Sequence, residues 1–291
     1  MKNCENYFLP NTTHEVLKLL NEVEGSVSIL AGGTDLLIDI RQGRHSPVVN
    51  LVDISEVDEF NQFELREKSI FIGAAVTHAR INVSEIIQKH AEGLGEACGL
   101  VGSPAVRNVA TLGGNVAHAL PAADGTIALM ALDAKVEIAS LGDRKIIPLE
   151  ELFLGPGKTI LVDRKEVIIG FHLPLSEGIQ ASAFKRIMRP QGVAIAILNC
   201  AVWLQRKNDL IEDIRISIGP SGPTPRKMSQ AECLLKNQEL CDSKIDEAYQ
   251  AVLEDARFRT SKHRAGKVYR QKMANNLLRD ALWTAWKRTQ K

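Results

Sequence analysis

Two glycine-rich segments, Ala31-Gly32-Gly33-Thr34-Asp35-Leu36-Leu37 and Thr111-Leu112-Gly113-Gly114-Asn115-Val116-Ala117-His118, carry most of the information in this sequence. Adjacent glycines allow positive φ and let backbone amides approach a ligand closely, because no Cβ intervenes. Amides presented in this way ahead of a helix suit phosphate oxygens. A single copy is also typical of an ordinary tight turn. Two copies within one domain-sized stretch favour a ligand with more than one group to bind, such as a dinucleotide.

The residues around the first segment predict a small β-α-β unit. Thr12-Thr13-His14-Glu15 has the form of a capping box, and apolar residues follow it at helical spacing. Residues 27–31 alternate as a strand that leads directly into the glycines, and residues 48–52 form a second strand. Thr34 or Asp35 can cap the helix between them. The first glycine segment therefore lies at the carboxyl end of a strand, where α/β folds commonly bind ligands.

Beyond this unit the pattern predicts an α+β protein. Strands are expected at residues 69–74, 135–139, 145–147 and 166–173, and helices at residues 84–90, 93–100 and 121–131. After Pro174 the pattern changes to three antiparallel strands at residues 181–188, 194–205 and 213–218, followed by amphipathic helices at residues 230–236, 245–255 and 268–286. We therefore predict a domain of residues 1–175, divided into a small β-α-β subdomain (1–55) and a larger mixed-sheet subdomain (56–175). A C-terminal domain with a three-stranded antiparallel sheet and a helical bundle follows at residues 176–291.

The composition is that of an ordinary globular protein. It is 45% hydrophobic and 24% charged, and 36 basic against 35 acidic residues give a net charge of +1. This balance gives no electrostatic reason to expect nucleic acid or an anionic membrane as a partner. The basic run Lys262-His263-Arg264, continued by Lys267 and Arg270, is interpreted as one solvated face of a helix.

The cysteines and the N-terminus favour a cytoplasmic protein. Five cysteines lie far apart without a C-x-x-C motif, which argues against a zinc site, an iron–sulfur cluster or a disulfide framework: Cys4, Cys98, Cys200, Cys233 and Cys241. We expect reduced thiols, mostly in the core. No apolar stretch suits a signal peptide or a membrane span.

Residue chemistry alone offers no obvious protein catalyst. There is no G-x-G-x-x-G, P-loop, H-E-x-x-H or G-x-S-x-G motif. His78, His118 and His172 are isolated and are expected at the surface or at helix caps. Asp35 and Asp124 could serve as acid–base groups, but both also stand where a helix cap is expected. Lys185, inside an apolar strand, either reaches the surface or meets an anion in a cleft. A cofactor that carries its own chemistry fits this pattern.

The residues resemble a known family, the FAD-binding medium subunits of molybdenum hydroxylases. The resemblance covers nearly the whole chain and rests on these stretches: Leu30-Ala31-Gly32-Gly33-Thr34-Asp35-Leu36-Leu37, Arg107-Asn108-Val109-Ala110-Thr111-Leu112-Gly113-Gly114-Asn115, Pro121-Ala122-Ala123-Asp124, Gly155-Pro156-Gly157-Lys158-Thr159 and the Gly219 to Pro225 segment. It is greatest to the xanthine dehydrogenase type, because Phe184-Lys185 follows His172-Leu173-Pro174 at that branch's spacing.

The resemblance implies the two-subdomain flavin fold of vanillyl-alcohol-oxidase (PCMH-type) flavoproteins, followed by the family's C-terminal domain. It implies non-covalent FAD, with the pyrophosphate held by backbone amides of the first glycine segment. The residues that the resemblance assigns to the cofactor are Ile29, Leu30, Ala31, Gly32, Gly33, Thr34, Asp35, Leu36, Ala110, Thr111, Gly113, Gly114, Asn115, Asp124, Ile168 and Lys185. Among these, Asp124 would lie near the cofactor, Ile168 would form part of its wall, and Lys185 would make a polar contact.

Three functions are compatible with these residues. In the first, which the resemblance favours, electrons pass from a molybdenum cofactor on a large partner subunit through iron–sulfur clusters on a small one to this chain's FAD, and then to NAD+ or another acceptor. The second is a self-contained flavin reductase, which would need a proton donor beside the flavin. The third is a non-redox protein that binds a nucleotide. The substrate of an assembled enzyme would be set in the partner's pocket.

Overall fold

The computed structural model describes residues 4–44, 48–175, 178–189, 195–262 and 264–290 of the chain. The N-terminal part is a three-stranded parallel sheet in the order β1-β3-β2 with helices between the strands. Its elements are β1 (Asn6–Phe8), α1 (Thr13–Glu22), β2 (Val27–Leu30), α2 (Leu36–Arg41) and β3 (Asn50–Asp53). The predicted β-α-β unit is confirmed, and β1 is an additional strand that its three residues were too few to reveal by periodicity.

Helix α1 is capped at both ends by side chains. At its start the hydroxyl of Thr12 accepts a hydrogen bond from the amide of Glu15 at 3.2 Å, as the capping box predicts. At its other end Arg164, from far along the chain, donates to the carbonyls of Leu20 (3.0 Å), Gly25 (3.1 Å) and Val23. These bonds satisfy carbonyls that the end of a helix leaves without partners. They also join the end of α1 to the segment that precedes β10.

The second sheet has five strands in the order β4-β5-β10-β6-β7, and every pair is antiparallel. The sequence predicted a mixed sheet here, and that prediction is wrong. The elements of this part are α3 (Asp58–Asn61), β4 (Phe63–Arg66), β5 (Ser69–Gly73), α4 (His78–Asn82), α5 (Glu85–His90), α6 (Glu92–Gly99), α7 (Pro104–Arg107), α8 (Leu112–Ala117), α9 (Asp124–Ala131), β6 (Lys135–Ser140), β7 (Asp143–Pro148), the short pair β8 (Phe153–Gly155) and β9 (Lys158–Thr159), and β10 (Val167–Pro174).

The C-terminal part contains the predicted antiparallel sheet, in the order β11-β12-β13, and the predicted helices. Its elements are β11 (Ile179–Met188), β12 (Ala196–Lys207), β13 (Leu210–Gly219), α10 (Ser229–Leu235), α11 (Asp242–Asp255) and α12 (Lys267–Arg288). Residue 176, the proposed domain boundary, and residue 194, the predicted first residue of the middle strand, lie outside the described residues.

This sheet is shared between two hydrophobic cores. Phe184 and Trp203 point into the first core, with the five-stranded sheet, whereas Ala183 and Val202 point into the second, with α10, α11 and α12. Because side chains alternate along a strand, neighbouring residues of β11 face different parts of the protein. The described residues contain no helix long and apolar enough to cross a membrane.

Two sequence interpretations are wrong in the fold. Only Cys98 and Cys200 are buried, while Cys233 and Cys241 are exposed, so the thiols are not mostly in the core. The basic run is not one solvated helix face: Lys262 and Arg264 precede α12, and Arg270 within it is only 2% exposed. His263 lies outside the described residues.

Candidate cofactor site

The fold brings the two glycine segments into contact. A Cβ on Gly32 would lie 2.0 Å from the carbonyl oxygen of Val109 and 2.8 Å from the Cα of Ala110. Real Cβ atoms do not come so close to backbone atoms, so position 32 requires glycine for packing rather than for its dihedral angles. The first segment thus packs directly against the residues that lead into the second, although the two segments are far apart in the sequence.

The first segment presents unused hydrogen-bond donors. Among the described residues, the amides from Ala31 to Asp35 donate no hydrogen bond to any backbone or side-chain acceptor. Gly33 has φ +64°, a conformation that glycine adopts without steric cost. Asp35 is the N-cap residue of α2, but its side chain makes no capping bond. Consecutive amides turned away from protein acceptors form an anion-binding concavity.

The second segment is built differently, because it is the first turn of α8. Thr111 is the N-cap, and its hydroxyl accepts a bond from the amide of Gly114 at 3.1 Å. The amides of Leu112 and Gly113 donate to Val76 (3.0 Å) and Ala74 (2.9 Å). The amides from Leu112 to Gly114 are therefore already bonded within the protein, unlike those of the first segment.

The two glycines of the second segment have different roles. A Cβ on Gly113 would lie 2.5 Å from the carbonyl oxygen of Ala74, so this glycine allows α8 to pack against the end of β5. Gly114 is exposed, and a Cβ there would meet only the Thr111 hydroxyl, at 3.2 Å. The helix surface at Gly114 is thus bare and open to a ligand.

Asn115 connects the second segment to the next helix. Its side-chain oxygen accepts bonds from the amide (3.1 Å) and the hydroxyl (3.3 Å) of Thr126 in α9. This arrangement fixes the start of α9, whose first residue is Asp124. The predicted cofactor residues Asn115 and Asp124 are therefore part of one bonded unit.

Asp124 lies in a buried polar cluster rather than at a helix cap. It is 6% exposed, its Oδ2 accepts from Nη1 of Arg186 at 2.5 Å, and its Oδ1 accepts from Nδ2 of Asn199 at 2.7 Å. The N-cap of α9 is Ala123. Burial raises the pKa of Asp124, while Arg186 and Asn199 act in the opposite direction. Sequence reasoning missed Arg186 and Asn199, because nothing in the local pattern connects them to Asp124.

Lys185, the residue next to Arg186, points to the other side of the C-terminal sheet. It pairs across the sheet with Cys200, whose side chain belongs to the second core, whereas Arg186 pairs with Asn199. Directly opposed residues of an antiparallel pair share a face. Arg186, not Lys185, is therefore the cation beside Asp124.

Ile168 and His78 are both buried. Ile168 is 4% exposed in β10, opposite Ile138, within the first core. His78 is only 1% exposed and follows the N-cap residue Thr77, so the prediction that it lies at the surface or at a helix cap is wrong. Its amide donates to the carbonyl of Ala110 at 3.0 Å, and its Nδ1 lies 3.2 Å from Sγ of Cys98. Burial, together with the charge of Arg107, lowers the pKa of His78 to about 4.

The other two histidines differ from His78. His118 is exposed, as predicted. Nε2 of His172 lies 2.8 Å from Oε2 of Glu137.

These observations fit FAD on two counts. The first segment offers a run of unbonded amides for an anionic group, and the second segment carries no Cβ at Gly114, where it meets solvent. A diphosphate bound there would receive the hydrogen bonds that the protein leaves unmade.

Comparison with known proteins gives the same result. Residues 2–176 match the family described as FAD binding domain in molybdopterin dehydrogenase, and residues 182–285 match the CO dehydrogenase flavoprotein C-terminal domain. The xanthine dehydrogenase FAD-binding subunit of Escherichia coli O157:H7 is 30% identical over 292 residues, which cover 98% of each chain. The nicotinate dehydrogenase FAD-subunit of Eubacterium barkeri is 27% identical over 96% of this chain and 95% of the relative.

A solved structure shows the same fold. Carbon monoxide dehydrogenase from Hydrogenophaga pseudoflava superposes with a TM-score of 0.91 at 26% identity, covering 97% of both chains. The predicted fold class is confirmed, and so is FAD as the cofactor. This chain therefore belongs to the family of FAD-binding medium subunits of molybdenum hydroxylases, and it is the flavoprotein component of an oxidoreductase.

Proposed function

We propose that this chain is the electron-transfer subunit of a multi-subunit molybdenum hydroxylase. Electrons would leave the substrate at a molybdenum cofactor on a large partner and pass through iron–sulfur clusters on a small partner. They would reach this chain and then NAD+ or another acceptor. When bound, FAD supplies both one-electron and two-electron redox chemistry. The observation that carries the proposal is the run of unbonded amides from Ala31 to Asp35, at the carboxyl end of β2.

In this proposal the residues of the chain bind and orient the cofactor. The amides of the first segment would hold the FAD pyrophosphate, with Ile29, Leu30 and Leu36 as flanking contacts. The second segment would contact the cofactor through its open surface at Gly114, since the amides from Leu112 to Gly114 are already bonded. Ala110, Thr111, Gly113 and Asn115 would shape that surface. Ile168 and Asp124 would lie near the cofactor. The contact of Lys185 rests on the family resemblance alone, because its side chain lies on the other face of the C-terminal sheet from Asp124.

The chemistry of the nearby titratable groups favours a subunit over a self-contained reductase. A reductase that acts directly on a bound substrate needs a proton donor beside the flavin. Asp124 is bonded to Arg186 and Asn199, and His78 is buried beside Cys98 with a pKa lowered to about 4. His78 is therefore uncharged at neutral pH, and both carboxylate oxygens of Asp124 are bonded to buried protein groups rather than open to a substrate.

The partners can be tested by purifying the tagged chain from its source cell under native conditions. We expect a yellow complex containing molybdenum, iron and a cysteine-rich small subunit, as measured by metal analysis and mass spectrometry. Recovery of a lone yellow protein without molybdenum would overturn the subunit proposal and favour the self-contained reductase. A colourless protein would favour nucleotide binding without redox chemistry.

The acceptor can be tested on the isolated chain. Anaerobic addition of NADH should bleach the visible flavin band and support reduction of an artificial dye, because this half-reaction needs only flavin and nicotinamide. A matched sample of Gly32→Ala, which we expect to lose FAD, controls for reduction without flavin. If NADH leaves the flavin oxidised in both the chain and the complex, NAD+ is not the acceptor.

A further inference from the structure

The N-terminal end of α12 contains a buried guanidinium that the protein does not pair. Arg270 is 2% exposed, and its Nε and Nη1 atoms are buried without a hydrogen-bond partner among the described residues. Burying an unpaired charge is costly, and buried arginines are normally bonded on several sides. This feature therefore indicates a ligand that supplies the missing acceptors.

Two further arginines lie near Arg270. The charges of Arg264 and Arg259 lower the pKa of Arg270, in addition to the effect of its burial, and Arg259 also lowers the pKa of Arg264. None of the three takes part in an ion pair among the residues that the structure describes. Three cations held together without an anion repel one another.

The surrounding backbone holds this arrangement in place. The amide of Ser261 donates to the carbonyl of Ala265 at 3.0 Å, and the amide of Lys267 donates to the hydroxyl of Thr260 at 3.1 Å. Arg189, at the end of β11, donates to the carbonyl of Arg264 at 3.5 Å. The turn that carries Arg264 is thus tied to both α12 and the C-terminal sheet.

The local charge and the helix geometry also favour an anion at the start of α12. The sequence contains no acidic residue between Asp255 and Asp280, and the first turn of α12 has no acidic side chain. In the described residues the amides of Val268 and Tyr269 donate to no acceptor. The positive end of the helix dipole therefore adds to the arginines. Side chains of a helix lean toward its N-terminus, so Arg270 leans toward this turn.

We propose that Arg270, Arg264 and Arg259 form a binding site for an oxyanion, with the N-terminus of α12 as a further donor, and that its occupant is a phosphate group of a small ligand. The planar guanidinium donates two parallel hydrogen bonds to a phosphate or a carboxylate. Three cations suit a dianionic phosphate better than a single carboxylate. This site is distinct from the glycine segments, and it does not depend on the proposed electron route.

The site can be tested by melting the full-length, FAD-loaded protein in phosphate-free buffer with increasing inorganic phosphate. We expect a rise in melting temperature of about 3 °C at ten times the dissociation constant. Sodium chloride at equal ionic strength should give no such rise. Absence of the phosphate-specific rise would overturn the proposal.

A pair of variants separates binding from folding. Arg270→Met keeps the length of the side chain but removes the buried charge, so it should keep or raise the melting temperature without phosphate and abolish the phosphate-dependent rise. Arg264→Gln should reduce the rise without lowering the starting temperature. Lys272→Gln, an exposed position on the same helix, should keep the full rise. If Arg270→Met responds to phosphate like the unmodified protein, the site is not where we propose.

The source of the oxyanion can be distinguished by repeating the titration on the assembled complex. A phosphate-bearing ligand predicts the same rise in the complex as in the isolated chain. A rise that disappears in the complex would mean that a carboxylate of a partner subunit fills the site, and it would overturn the small-ligand proposal.

Discussion

Arg186 and Asp124 form a buried ion pair between the C-terminal sheet and the helix that follows the second glycine segment. Nη1 of Arg186 lies 2.5 Å from Oδ2 of Asp124, and the two side chains are only 2% and 7% exposed. Asn199 of β12 donates to the other carboxylate oxygen. Since Asn115 fixes α9 to α8, this pair sets where the C-terminal sheet lies relative to the cofactor segments.

Asp124→Asn should destabilise the protein strongly. It removes the carboxylate that pairs with Arg186 while keeping an oxygen that can accept from Asn199. Breaking a buried ion pair from one side costs about 3 kcal/mol, which denaturant unfolding would measure. Glu22→Gln, which breaks the exposed pair of Lys18 and Glu22, is a matched control with an expected cost below about 0.5 kcal/mol. Equal costs for both variants would show that the buried pair contributes no more than a surface pair.

Lys185→Ala should act on the flavin rather than on stability. Lys185 forms no hydrogen bond or ion pair with the other described residues, so removing its side chain should change the free energy of unfolding little. We expect weaker FAD binding or a lower flavin reduction potential, because a positive charge near the reduced flavin is lost. Lys207→Ala, on the same sheet, is the control. If both variants bind FAD with unchanged affinity and potential, Lys185 makes no contact with the cofactor.

Gly32→Ala and Gly114→Ala should differ in their effect on the melting temperature of the apoprotein. At position 32 a Cβ would collide with the backbone at Val109, so we expect both a lower melting temperature of the apoprotein and loss of FAD. At the exposed position 114 a Cβ needs only a small shift of Thr111, and alanine also favours a helix by up to about 1 kcal/mol. Gly114→Ala should therefore keep the melting temperature but weaken FAD binding. Normal FAD binding by Gly114→Val would show that the second segment is only a helix start.

His78 should make stability depend on pH between about 4 and 6.5. Its pKa in the folded protein is lowered from 6.5 to about 4, so in this range the unfolded chain binds a proton that the folded protein does not. The free energy of unfolding should thus fall as the pH falls, by about 3 kcal/mol in total from this residue.

Urea unfolding at several pH values measures that slope. His78→Phe keeps a ring of similar size and should flatten the slope between pH 6.5 and 4, whatever it does to the absolute stability. His14→Gln alters an exposed histidine and should leave the slope unchanged. An unchanged slope in His78→Phe would contradict the assignment.

FAD should be bound without a covalent bond. Covalent attachment would need a nucleophilic side chain at the flavin ring, and the glycine segments offer only His118. Acid precipitation should therefore release a yellow supernatant and leave a colourless pellet. A yellow pellet would show covalent attachment, and His118→Ala would then identify whether His118 is the attachment residue.

Sequence reasoning succeeded where the signal is local. Most helices and strands of the C-terminal half follow from periodicity over ten or more residues, and the Thr12 capping box follows from four adjacent residues. It failed at short elements such as β1 and β4, whose three or four residues carry too little periodicity. It also failed for the basic run from Lys262 to Arg270, because the sequence does not distinguish an exposed cation from a buried one.

The sequence by itself predicted an amide-rich phosphate site and determined that the chain is similar to FAD-binding subunits, because glycine pairs and turn residues act through local backbone geometry. Only the tertiary structure decided that Gly32 meets Val109, that Arg186 rather than Lys185 pairs with Asp124, and that Arg270 is buried without a partner. These relationships join residues that are distant in the chain or differ only in which face of a strand they occupy. They depend on strand register and packing, which no short stretch of sequence specifies.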